Sequence, residues 1–255
     1  MHSITTDYFE DTGNPFPYLR KISDAGFSYV HWCHEWSTNY LYTRDDIAEI
    51  KSNLRKYDLE ILDIHASNGR EISWDSDDND NRAAAITLIK NRIKMAAEFD
   101  VQVIIMHISE VNDYLKKSLD ELEKFAAVRG VKIAIENTKN FPDVDEILSL
   151  YDENFLGLCF DSGHANIEEN AFTYFDKLKD RLISIHLHDN DGERDLHQIP
   201  FYGTTNWEEV TRIISESSYK KQISLEASIH NMKMSEDNFL KEAFSAAEKL
   251  SEMIF

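Results

Sequence analysis

Basic residues are scarce: 27 lysines and arginines stand against 47 aspartates and glutamates in 255 residues, a formal net charge of -20. Such a surface repels phosphate backbones and anionic membranes, which argues against nucleic acid as a partner. Cysteine is nearly absent. Cys33 and Cys159 are the only two, each inside a predicted strand, which suits small reduced core residues rather than a disulfide framework. No segment reaches the roughly 18 consecutive apolar residues needed to span a bilayer. The start, MHSITTDYFEDTGNP, has neither the basic opening nor the apolar run of a secretory signal. A cytoplasmic protein without a membrane partner is expected. Neither GxGxxG nor the GxxxxGKS/T phosphate loop occurs, so the glycine-rich turn usual in an open doubly wound sheet is missing. Linkers, solenoid-length repeats and low-complexity segments are missing too, apart from the acidic DSDDNDN at 75–81, read as a solvated loop.

What remains is a chain with 42% hydrophobic residues, long enough to bury one substantial core. Short β-branched runs alternate with stretches of helical periodicity. The runs are SIT at 3–5, FSYVHWC at 27–33, EILDIHA at 60–66, VQVIIMHI at 101–108, VKIAIEN at 131–137, FLGLCFD at 155–161, LISIHLHD at 182–189 and KQISLEA at 221–227. Helices are expected over 18–25, 44–57, 82–99, 115–128, 144–151, 207–216 and 236–250. This alternation predicts an α/β fold: a single (β/α)8 TIM barrel forming one domain over residues 1–255.

In such a barrel the active site lies at the C-terminal strand ends, and here those ends are polar. His65 closes the third strand, His107 the fourth, Glu136 the fifth and Asp161 the sixth, with His164 just beyond. His186 closes the seventh and Glu226 the eighth. Strand alternation sets these side chains opposite the apolar positions Ile133, Ile135, Leu158, Phe160, Ile183, Ile185, Ile223 and Leu225, so the polar set points into the barrel. A small residue precedes four of them by two: Ala134, Cys159, Ser184 and Ser224. Three inward carboxylates need charge compensation, and a divalent cation supplies it. Oxygen and imidazole donors without thiolate suit Mn²⁺, Zn²⁺, Co²⁺ or Mg²⁺. The HWCHEW of 31–36 adds Glu35 and Trp36 as a carboxylate and an aromatic wall for a sugar.

The motifs IEN (135–137), FDSGH (160–164), HLHD (186–189), DLH (195–197) with NW (206–207), and SLE (224–226) together resemble those of the xylose-isomerase-like TIM-barrel superfamily. That superfamily includes sugar isomerases, ketose 3-epimerases, inosose-processing enzymes and apurinic endonucleases of the endonuclease IV type. The resemblance implies metal ligation by Glu136, Asp161, His186 and Glu226, and substrate contact by His164. His65, His107, His164, Asp195 and His197 match the endonuclease pattern, in which additional zinc ions are held. His188 departs from the lysine often found there, and PFYG stretches the usual tight turn after the Asp-x-His pair.

The function expected from these residues is metal-dependent isomerisation or epimerisation of a small sugar or inosose. A metal-stabilised enediolate would link substrate and product, with Glu136 and Glu226 as general base and acid and His65 and His107 as further substrate contacts. A dehydratase would use the same enolate to expel hydroxide. A zinc phosphodiesterase acting on abasic DNA is the alternative the extra ligands suggest, and Asp75, Asp77, Asp78 and Asp80 oppose it by charge. A non-catalytic sugar-binding barrel is the third reading. The partner is a small polyhydroxylated molecule, and a homo-oligomer is left open.

Overall fold

The protein is described by a computed structural model covering residues 1–67, 71–138 and 140–255. Eight strands run in parallel: β1 (His2–Thr5), β2 (Tyr29–Trp32), β3 (Glu60–His65), β4 (Val103–Met106), β5 (Lys132–Glu136), β6 (Leu156–Asp161), β7 (Leu182–His186) and β8 (Ile223–Leu225). Each pairs with its sequence neighbour from β1 to β7, and β8 pairs with β1. Just past β7, Leu187 closes the ring: its N–H donates to the Ser224 carbonyl at 3.0 Å, and its own carbonyl accepts from Glu226 N–H at 3.2 Å. The result is a (β/α)8 barrel, with every predicted strand present.

Helices cover the outside: α1 (Phe16–Asp24), α2 (Arg44–Lys56), α3 (Asn79–Glu98), α4 (Asp113–Ala127), α5 (Phe141–Leu150), α6 (Ser162–Ile167), α7 (Ala171–Leu178), α8 (Trp207–Glu216) and α9 (Glu236–Ile254). Their starts follow from local chemistry. Thr43 and Asp46 form a capping box on α2, while Asn112 and Ser235 accept backbone N–H bonds at the starts of α4 and α9. The acidic 75–81 stretch is more than a solvated loop. Asp78 caps α3, residues 79–81 are its first turn, and Asp75 is buried against the Ser73 hydroxyl and Ser109 N–H. Helices α6 and α7 have no counterpart among the expected elements. Helix α6 is too short to show an apolar period, whereas α7 carries one in buried Ala171, Phe175 and Leu178; β6 runs into α6 with Asp161 serving as both last strand residue and N-cap.

Two apolar cores result. The larger lies between strands and helices and takes Ile133, Ile135, Leu158, Phe160, Ile185, Ile223 and Leu225. A smaller one fills the lower lumen with Val103, Ile105, Ala134 and Cys159. Ile183 is a correction to simple alternation. The β6–β7 register shifts after Leu158, which pairs with Leu182, while Cys159 pairs with Ser184. Ile183 is therefore the extra residue of a bulge and packs on the lumen cluster. Gly157 leaves room for it, since a Cβ there would collide with its side chain. Above this plug the lumen turns polar. Among the described residues, no helix is long and apolar enough to cross a membrane.

Candidate metal centre

Glu136 and Glu226 leave β5 and the end of β8 and converge on one imidazole. Glu136 Oε2 lies 3.0 Å from His186 Nδ1, and Glu226 Oε2 lies 3.2 Å from the same atom. All three side chains are buried. Around Glu136 stand His107 Nε2 at 3.3 Å and His65 Nε2 at 3.9 Å from Oε2, with His164 Nδ1 at 3.3 Å from Oε1. Several of these atoms have no hydrogen-bond partner: Glu136 Oε2, His164 Nδ1 and both ring nitrogens of His186. Buried polar atoms are rarely left so.

Separations of about 3.0–3.4 Å are those expected between donors sharing one cation at bonds of about 2.1 Å. The residues present thus fit a divalent ion. His65 is already turned for that role: its Nδ1–H donates to the Ala66 carbonyl at 2.8 Å, which aims Nε2 inward. Other groups with ligand atoms mutually within 4.8 Å include His65 with His107 and Glu136, His164 with Asp195 and His197, and His31 with Asp63 and His186.

Asp161 sits differently from the other carboxylates. Its Oδ1 accepts from His164 N–H at 2.6 Å, and its Oδ2 faces His188 Nε2 at 3.0 Å. His164 spans the two clusters, with Nε2 3.1 Å from Asp195 Oδ2. Asp195 also faces His197 Nε2 at 3.4 Å, and His197 Nδ1–H donates to the Glu226 carbonyl at 2.7 Å.

Electrostatics follow from this crowding. Burial works against charge throughout, but the imidazoles hold Glu136 and Glu226 well below the ordinary carboxylate range. In return, facing carboxylates overcome burial and keep His164 well above the usual imidazole value and His197 at about 10, while the Cys159 sulfur, then Glu226 and Glu136, do the same for His186. His65 goes the other way: burial, then the charge of His107, push it down to about 3.

The cavity above these groups holds about 320 Å³ and opens between Thr5, Asp7, Asp11, Trp36, Ser228 and His230. Trp36 forms one wall, its ring 4.8 Å from His65 and 5.7 Å from His107 between centroids. The loop carrying it is pinned by buried Arg92, which donates to the Tyr40 and Glu35 carbonyls. Glu35 itself is corrected: at φ +60° its carboxylate turns out of this cavity and accepts from Gly13 N–H and the Thr38 hydroxyl. It braces the loop rather than facing a substrate.

Two polar residues just past β7 lie inside the protein. His188 is fully buried, stacked on His197 at 4.0 Å. Asp189 is fully buried as well, accepting from Asn190 N–H, Phe201 N–H, Thr205 N–H and the Trp207 indole; it folds the 190–206 loop over the barrel end. Only Asp191 remains on the surface, held down to about 2 by its hydrogen bond to Arg194. Sequence reasoning also passed over His31, Asp63, Asp7, Asp11 and His230. His31 and Asp63 carried a readable signal, being inward by strand parity.

The glycine of FDSGH has a steric purpose. A Cβ at position 163 would overlap the His188 ring, which has no room to move. Gly163→Ala is therefore expected to cost about 1–3 kcal/mol by overpacking, read as a lower denaturant midpoint. An unchanged midpoint would show that His188 does not pack there.

The sequence model of the xylose isomerase-like TIM barrel matches residues 19–250. Fructoselysine 3-epimerase of Shigella flexneri is 26% identical, over 71% of this chain and 72% of that protein. The crystal structure of a D-tagatose 3-epimerase-like protein superposes with a TM-score of 0.79 at 22% identity, covering 99% of this chain and 96% of the other. The IOLI protein, whose crystal structure holds a zinc atom, superposes with a TM-score of 0.76 at 18% identity, covering 100% and 99%.

Proposed function

The chain belongs to the xylose isomerase-like TIM barrel family, and from that membership we propose that it is a divalent-metal-dependent isomerase or epimerase. Its substrate class is a small, unphosphorylated polyhydroxy carbonyl compound, a sugar or an inosose. One observation carries the reading: Glu136 and Glu226, buried, meet at His186 from strands three apart in the ring, where Glu136 Oε2, His164 Nδ1 and both His186 ring nitrogens have no hydrogen-bond partner. The metal is assigned to Glu136, Asp161, His186 and Glu226. A cation held there would offset the negative charge that develops on the substrate's carbonyl oxygen as a neighbouring C–H proton leaves.

The rest is done by the protein's own groups. One of the two glutamates takes the proton adjacent to the carbonyl and is left protonated; for epimerisation the other must enter the step carrying a proton, which it returns to the opposite face, and for isomerisation the first hands its own proton to the neighbouring carbon of the enediolate. His164, held by Asp195, is placed to bind a substrate hydroxyl, with His65, His107 and Trp36 closing the far side. Membership in the family and similarity to a fructoselysine epimerase support sugar chemistry. No lysine or arginine lines the cavity among the described residues, whereas Asp7, Asp11 and Asp195 do, and this disfavours a phosphorylated substrate. The volume of about 320 Å³ suits a small ligand.

The test is metal analysis of the purified protein followed by a screen of ketoses, inososes and their phosphates with the metal restored. Conversion of an unphosphorylated compound is expected; turnover of phosphates alone would overturn the substrate class, and loss of water from the product would identify a dehydratase. The groupings of His65 with His107 and of His164 with Asp195 and His197 keep the zinc phosphodiesterase as a second reading. Three zinc ions per chain together with cleavage of an abasic duplex would establish it.

A further inference from the structure

Beneath the proposed centre lies a second buried polar chain. Asp63, on β3, and His31, on β2, are 2% and 0% exposed. His31 Nδ1–H donates to Asp63 Oδ1 at 2.8 Å, and the Ser184 hydroxyl donates to Asp63 Oδ2. A carboxylate this deep in a barrel is costly unless paired, and both of its oxygens are paired here.

A local break in the sheet makes the pairing. The β2–β3 register shifts after Val30: Val30 pairs with Ile61, but His31 pairs with Asp63. Leu62 is the extra residue of a bulge, uncommon between parallel strands and a known device for re-aiming a side chain near a site.

The hydrogen bond to Asp63 sets the tilt of the His31 ring and directs Nε2 upward. That nitrogen has no hydrogen-bond partner and faces Glu226 Oε1 at 3.7 Å, while Glu226 Oε2 faces His186. The His31 ring also lies against His186, 4.3 Å between centroids. Glu226 therefore stands between two imidazoles, and Asp63 orients only one of them.

We propose that Ser184, Asp63 and His31 form a support that sets the angle at which Glu226 and His186 present themselves to a cation, so that all three are positioning residues. The inference rests on the reading of Glu226 and His186 as metal ligands. Groups that hydrogen-bond metal ligands from behind govern affinity by about 10- to 100-fold when removed; His31 meets Glu226 at 3.7 Å without a hydrogen bond, so the low end of that range is expected.

The experiment measures Mn²⁺ affinity by chelator competition, beside the thermal midpoint of the metal-free protein, for the wild type and three full-length variants. Asp63→Ala is expected to weaken Mn²⁺ binding by about 10-fold, and Asp63→Asn, which keeps an acceptor for His31, by a smaller factor of about 3-fold or more. Ser184→Ala should weaken it less than either while folding normally. Graded losses in that order support the inference. A merely structural role would lower the metal-free midpoint and leave affinity unchanged. Affinities within twofold of wild type in folded Asp63→Asn and Ser184→Ala would overturn the inference, whatever becomes of Asp63→Ala. Failure of the wild type itself to bind a divalent cation would instead remove the metal reading, and with it this support. Metal binding without turnover of any sugar would count against the proposed reaction alone.

Discussion

Glu136→Gln and Glu226→Gln are each expected to lower kcat by about 10²- to 10⁴-fold, the contribution typical of a positioned acid or base, while the barrel stays folded. Glutamine keeps the shape and one oxygen but cannot accept a proton. The double variant should lose little beyond the worse single, because both groups serve one proton transfer. The two sites differ in what else changes. Glu136 faces His65, His107, His164 and His186, so its replacement also strips the negative charge those rings share and should weaken metal binding more. Rates are therefore compared at saturating metal. Wild-type kcat in either variant, on a confirmed substrate, would sink the acid–base assignment.

Removing metal is the second large effect. A chelated protein is expected to show no turnover and to recover it on adding one of Mn²⁺, Zn²⁺, Co²⁺ or Mg²⁺. A bound cation adds roughly 4 kcal/mol of stability when its free concentration is about a thousandfold above its dissociation constant, on the order of 10 °C in Tm for a chain of this size. Protons compete for the same donors. His197 is raised from 6.5 to about 10 by Asp195 and Glu226 against the opposing effect of burial. In the metal-free protein its pairing stabilises the fold fully below pH 6.5, and that contribution is lost as pH rises through about 10. His164 and His186 shift in the same direction. Of the three, His186 is the assigned ligand, and a cation must displace its proton, so apparent affinity should rise with pH. Calorimetry at pH 7.5 in buffers of different ionisation enthalpy should show proton release. Activity insensitive to chelators, with no buffer-dependent heat, would refute the metal reading.

Legibility varied with how local each determinant was. The eight strands could be read because a parallel barrel strand is apolar on its helix-facing side and ends at a polar residue, as Ile133, Ile135 and Glu136 do on β5. That His65, His107, Glu136 and Glu226 line one cavity, with His186 buried between the two glutamates, follows from strand parity plus barrel closure. His188 and Asp189 follow the last paired residue of β7, a position that by itself suggests a polar rim. They are buried because the 190–206 loop folds back on them, a long-range event with no local sign beyond Trp207 and Gly203, whose Cβ would strike Asn190. Glu35 looked like a cavity carboxylate beside Trp36, yet a single positive φ sends it to the other side of the loop.

The sequence by itself determined the class of fold, the end of the barrel that carries chemistry and the donor types gathered there, because period-2 alternation and strand-end polarity are properties of neighbouring residues. Tertiary structure alone decided which donors meet. The bulge at Leu62 set Asp63 opposite His31, and the bulge at Ile183 turned that side chain against the lower-lumen cluster. Barrel closure through Leu187 brought β8 alongside β7, so that Glu226 and Glu136 flank His186. Each depends on register between strands distant in the chain. A shift of one residue there turns a side chain from one face of the sheet to the other, and nothing within either strand announces it.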